Sequence, residues 1–172
     1  MISKGEGRAL RVLRSKKKWV AATVGAAAIG VFATVALGSP GSMFGIAGTE
    51  TYVTANVDDS VQENSDRVKL QTKDPTYVRV QKIVIGAGGY SGWHHHPGVV
   101  VVAVQSGSVT FTRSDCSSKT YGPNSVFVEA GDDPGQASSA GGATVLATYI
   151  APNDGPVTPT TFRVEDPVVS CP

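Results

Sequence analysis

The sequence predicts an all-β domain, a sandwich or barrel, carried behind one N-terminal apolar helix. Three observations predict it. Beyond residue 50 the chain has no helical period of apolar residues. It shows instead short β-branched runs broken by Gly, Pro, Asn and Asp, spaced roughly 8–12 residues apart as in sandwiches and barrels. The one long apolar stretch, residues 19–38, carries no charge and directly follows a basic cluster.

The N-terminal part comes first. The chain has 172 residues with 15 Lys and Arg and 14 Asp and Glu, but the charge is unevenly placed. Residues 1–18 hold Lys4, Arg8, Arg11, Arg14, Lys16, Lys17 and Lys18 against Glu6, a balance of +6, which leaves the remainder at −5. Such a cluster can bind nucleic acid. Its position before an apolar run reads instead as a cytoplasmic flank, and no nucleic-acid partner is expected. Residues 19–38, WVAATVGAAAIGVFATVALG, contain only Thr23 and Thr34 as polar side chains. As a helix they span about 30 Å, the thickness of a bilayer core. The basic flank predicts the N-terminus in the cytoplasm and everything after residue 38 outside. Two outcomes stay open: a single-pass anchor in the cell membrane, or a signal peptide cleaved near Gly38 with the domain secreted. Residues 39–50, rich in Gly and Ser, read as a linker, residues 51–164 as the β-domain, and residues 165–172 as an irregular tail.

Within the domain, strands are expected at 51–57, 68–71, 77–85, 98–105, 108–113, 125–130, 143–150 and 161–164. Residues 98–105, GVVVVAVQ, are apolar on both faces, as in a central strand. Ser106-Gly107 reads as a tight turn that returns the chain through 108–113 as a hairpin. The two cysteines, Cys116 and Cys171, fall in the exported part. An even number in an oxidising compartment predicts one disulfide between them, two free thiols being the alternative. No Cys-x-x-Cys spacing points to zinc or redox chemistry.

All three histidines are adjacent, in Gly92-Trp93-His94-His95-His96-Pro97-Gly98. Residues two apart on a strand share a face, so His94 and His96 project together and His95 opposite. Two imidazoles on one wall chelate a divalent metal; a polar loop at a rim is the plain alternative. Tyr90, Trp93, Phe111, Phe127 and Tyr149 are candidates for core or for pocket walls, and core is the commoner fate of aromatics in a small β-domain.

These residues resemble the first motif of the cupin family: glycine, five residues, His-x-His, three or four residues, glutamate, six residues, glycine. Here Gly88, His94, His96 and Gly107 hold their places, and Val100 stands where the family has glutamate. The stretch 121–131 is similar to the turn and strand of the second motif, with Glu129, Pro134 and Ser138 at the places of its proline, histidine and asparagine. The resemblance implies a cupin-like double-stranded β-helix (jelly-roll) barrel with one divalent transition metal. Only His94 and His96 occupy family ligand positions, so the metal site reads as degenerate unless Glu129, Asp132, Asp133 or Gln136 supplies oxygen. The expected ligand pocket is lined by His94, His96 and Trp93, next to strand 125–130. Phosphate loop, nucleophile elbow and dinucleotide fingerprint are all missing from the sequence. Two functions therefore stay open: a barrel that binds a small molecule without turnover, or a metal-dependent enzyme of the oxygenase or isomerase type.

Overall fold

The computed structural model describes residues 43–166, 169 and 171. The basic segment 1–18, the apolar segment 19–38 and residues 39–42 of the expected linker lie outside the described residues. Among the described residues no helix is long and apolar enough to cross a membrane.

The domain is all-β and barrel-like. Its strands are β1 Phe44–Val57, β2 Gln62–Ser65, β3 Val68–Gln71, β4 Thr76–Tyr90, β5 His94–His95, β6 Val99–Gly107, β7 Val109–Arg113, β8 Ser118–Tyr121, β9 Val126–Ala130, β10 Gly135–Ser139, β11 Ala143–Pro152 and β12 Val164–Glu165, with a short 3₁₀ turn at Pro159–Thr161. Strands β2 and β3 pair only with each other. The other ten form one antiparallel sheet folded into two walls. One wall runs β1-β4-β11-β6-β9, and the other runs from β12 through β5, β10 and β7 to β8. The far end of β4 joins them, since Gly89 and Tyr90 pair with Ser139 and Ser138 of β10.

The core between the walls follows strand alternation. From β6, Val100, Val102 and Val104 point inward at 2, 5 and 2% exposure, while Val99 and Val101 face out at 39 and 36%. The run that reads as buried on both faces is thus a central strand with one face against the core. Val109 and Phe111 of β7, Phe127 of β9, Ala137 of β10 and Val145 and Ala147 of β11 complete the packing. Phe127 lies between Phe111 and Tyr121, with ring centroids 5.1 and 5.0 Å apart.

Four expectations need correction. Residues 44–50 are strand rather than linker: Gly45 and Gly48 lower strand propensity, yet β1 is held by its long antiparallel register along β4, and Phe44 stacks on Tyr90 at 5.7 Å. Residues 99–107 and 109–113 do not form a hairpin. β6 pairs with β11 and β9, and β7 with β10 and β8. Gly107, at φ 74°, turns the chain across to the opposite wall rather than back on itself, and a Cβ there would collide with the Gly142 carbonyl. The last strand is Val164–Glu165, preceded by the 3₁₀ turn, not 161–164. The first residues of the expected tail are docked: Glu165 pairs with His94 across the β12–β5 ladder, and the Asp166 amide donates to the Trp93 carbonyl at 2.9 Å. The predicted disulfide is present, Cys116 to Cys171, with Cα atoms 5.6 Å apart.

Candidate metal centre

The histidines sit where β4 ends and the chain turns at Gly92, φ 71°, into the short β5. Alternation places His94 and His96 inside, at 5 and 6% exposure, with ring centroids 4.7 Å apart. His95 faces the other way, where its Nδ1 meets the Asp166 carboxylate at 2.6 Å. Trp93 is buried but does not line the cavity beside the histidines. The same alternation that turns His94 inward turns its neighbour away, which corrects the expected pocket set.

Of the four candidate oxygen donors, Glu129 reaches the histidines. Its Oε2 lies 2.8 Å from His96 Nε2 and 3.6 Å from His94 Nε2. His94, His96 and Glu129 are all buried, and their ligand atoms all lie within 4.8 Å of one another. Asp132 and Asp133 are exposed, and Asp133 accepts a hydrogen bond from Ser114 instead. The source of the carboxylate is a matter of register. Val100 and Glu129 are direct cross-strand partners in the β6–β9 ladder, so their side chains stand side by side on the inner face. The carboxylate missing at 100 enters the same space from the neighbouring strand.

The donor set fits a metal ion. His94 Nδ1 donates to the Gly92 carbonyl at 2.9 Å, and His96 Nδ1 to the Phe162 carbonyl at 2.5 Å. A carbonyl only accepts, so each Nδ1 carries a hydrogen and each neutral ring turns an Nε2 lone pair toward Glu129. Backbone carbonyls that fix ring orientation and tautomer in this way are the usual support of ligating imidazoles. Three lone-pair donors then converge on one point, and either a proton or a cation must sit between them. In the metal-free site that proton sits on an imidazole Nε2: burial alone would raise the Glu129 pKa, but the hydrogen bonds and charge that His94 and His96 then supply outweigh it and hold the carboxyl at about 2. A buried carboxylate held ionised beside two imidazoles suits a divalent transition metal.

Beside this cluster lies a cavity of about 300 Å³. His94, His96, Glu129 and Tyr149 line it together with Arg79, Gln81 and Arg163, and Val102, Phe127, Val145 and Ala147 make its apolar part. Tyr149 packs edge-on to His96 at 5.6 Å. Burial first, and then the Glu129 charge, push the Tyr149 phenol up to about 12, against the opposing charges of Arg163 and Arg79. Arg163 is matched: it forks onto both oxygens of Glu165 at 2.6 and 3.0 Å and donates to the Ser91 carbonyl. Arg79 is the site residue that the sequence reading does not name, and Glu129 and Tyr149 stand there only among open alternatives; pairing register brings the three together.

No protein-family model matches the chain, and no curated protein matches it at a significant level. Among solved structures it is similar to a salicylate 1,2-dioxygenase from Pseudaminobacter salicylatoxidans, at 14% identity and a TM-score of 0.39 over 41% of this chain and 20% of the other. The chain thus spans about a fifth of that dioxygenase. It is also similar to a conserved protein of unknown function from Streptococcus pyogenes, at 15% identity and TM-score 0.41, covering 58% of this chain and 75% of that one. A third similar structure, at 13% identity and TM-score 0.41 over 58% of this chain and 78% of the other, is a cupin-superfamily protein from Desulfitobacterium hafniense, so the neighbours of this barrel include a cupin.

Proposed function

We propose that this chain is an extracytoplasmic metal-binding barrel, held at the cell membrane by residues 19–38, that takes a small molecule in the cavity beside His94, His96 and Glu129. One observation carries the metal part: three buried donors, two of them imidazoles fixed by backbone carbonyls, meet at a point that opens onto a cavity of about 300 Å³. When bound, a divalent transition metal supplies a Lewis-acid centre with open coordination positions. The chain's own residues do the rest. Gly92 and Phe162 orient the two rings, Glu129 stays ionised, and Tyr149 holds its proton and presents a neutral hydroxyl. The apolar wall excludes water.

A second reading is a metal-dependent enzyme of oxygenase or isomerase type. It is favoured by the count of protein ligands: two imidazoles and one carboxylate leave positions free, as catalytic sites do and closed structural sites do not.

Metal analysis of the full, tag-free chain tests the proposal. One equivalent of metal per chain is expected after reconstitution. His94→Ala, His96→Ala and Glu129→Val each abolish it, and His95→Ala retains it. The double variant Val100→Glu/Glu129→Val moves the carboxylate back across the ladder and recovers binding. Affinity falls in acid, because the imidazoles must be neutral to ligate. Equal losses from all three histidine variants, or no metal in the wild type, overturn the proposal.

A further inference from the structure

The metal donors share their tier of the barrel with a cation that has no carboxylate partner among the described residues. Register places it. Arg79 pairs with Tyr149, Tyr149 with Val100, and Val100 with Glu129, across β4, β11, β6 and β9. Arg79 is therefore level with the metal donors, three strands along the same curved wall. The next tier, Gln81, Ala147, Val102 and Phe127, is small or apolar apart from Gln81. Beneath it lie Ile83, Val145 and Val104.

The Arg79 guanidinium is held in place. Its Nε donates to Thr54 Oγ1 at 3.1 Å, and its Cζ lies over the Phe162 ring, 3.7 Å from the centroid. These contacts use one donor and one face and leave the terminal amino groups of the fork. Among the described residues no carboxylate lies within ion-pair distance of Arg79, whereas Arg163 of the same cavity is matched by Glu165. A half-buried guanidinium without a counter-charge is costly unless something anionic meets it. Its planar fork suits the two oxygens of a carboxylate.

We propose that the cavity ligand is a small carboxylate with an apolar body, its carboxylate gripped by Arg79 and its body lying over the Ala147 and Val102 tier toward the metal donors. This inference rests on the metal-barrel reading for the second attachment point and on Arg79 alone for the first. Charge balance agrees with it. A divalent ion on ionised Glu129 leaves an excess of positive charge beside Arg79, which a single carboxylate halves from +2 to +1.

The test is calorimetric titration of the full chain, metal-loaded and after chelation, with benzoate and hexanoate and with their neutral amides, benzamide and hexanamide. The wild type is expected to bind the acids roughly tenfold or more tightly than the amides, the scale of one charge-assisted hydrogen-bonded pair. Arg79→Met is expected to erase that preference while metal content stays at one per chain. Arg79→Lys keeps a charge but loses the fork, and retains only part of the preference; it carries the test if the Met variant fails to fold by circular dichroism. A preference unchanged in Arg79→Met, or unchanged in Arg79→Lys where that variant carries the test, overturns the proposal, as does a wild type that binds neither acid or binds acids and amides alike. Metal content is read on the same samples. Missing metal with the preference intact retires the metal reading alone, and one metal per chain without the preference retires the carboxylate reading alone.

Discussion

Tyr149 connects the two halves of the site at the scale of one residue. Its ring packs against His96 and against Phe162, whose face carries Arg79. Burial and the Glu129 charge raise its pKa from 10 to about 12. The sign follows directly. A raised folded pKa favours the protonated form, so the stabilisation is complete below pH 10 and is lost as pH rises through 12. Each tenfold gain in proton affinity corresponds to about 1.4 kcal/mol, so up to about 2–3 kcal/mol is at stake before solvent screening. Wild-type protein is expected to lose stability across that window, and Tyr149→Phe to lose less. Ultraviolet titration of the phenol checks this, and it carries a second signature. A bound metal cancels the Glu129 charge, so the Tyr149 midpoint falls when metal is added. A midpoint indifferent to metal separates Tyr149 from the site.

At the scale of elements, the C-terminal strap matters most. Phe162 supplies the carbonyl that orients His96, Arg163 reaches Ser91, β12 pairs with β5, and Asp166 holds His95. Few of these contacts are apolar, and the strap follows a loop rich in Pro, Gly and Thr. The Cys116–Cys171 disulfide ties its end to the turn after β7, across a separation of 55 residues. In the chain-entropy model closing such a loop stabilises by about 4 kcal/mol. Cys171→Ser is therefore expected to lower the melting temperature. It is also expected to weaken metal binding by roughly 10–100-fold, the usual cost of losing an orienting partner of a ligating histidine. Thermal denaturation and a competitive metal titration measure the two effects. Melting that falls with metal affinity unchanged detaches the strap from the site. Strand β10 shows another limit at this scale. Its sequence, GQASS, has no β-branched residue, and its extended form comes from β5 and β4 on one side and β7 on the other.

For the whole molecule, the charge step at residue 18 sets the prediction. A basic flank before an uncharged apolar run predicts a barrel outside the cytoplasm, in a compartment where a disulfide forms and persists. Alkaline phosphatase fused after Pro172 is expected to be active and a cytoplasm-dependent reporter at the same point silent. The reverse pattern sinks the export reading. Mass spectrometry of the mature N-terminus separates anchor from cleavage, since a start near Ser39 means a signal peptide.

Local rules made much of this protein legible in the sequence. Alternation alone put His94 and His96 on one face and His95 on the other, because a two-residue period needs no partner strand. The expected strand 68–71 matches β3 to the residue, and β-branched runs marked the middles of β4, β6 and β11, because those side chains favour a pleated, half-buried surface. The spacing from Gly88 through the histidines to Gly107 pointed to the barrel. The same alternation, applied to Trp93, would have kept it out of the pocket. Tertiary structure decided the rest. That Glu129 faces Val100, that Tyr149 and Arg79 join the same tier, and that β7 crosses walls instead of returning along β6 all depend on which strands pair and in what register. Register is set by contacts distant in sequence, and a shift of one residue would turn every one of these side chains to the opposite face.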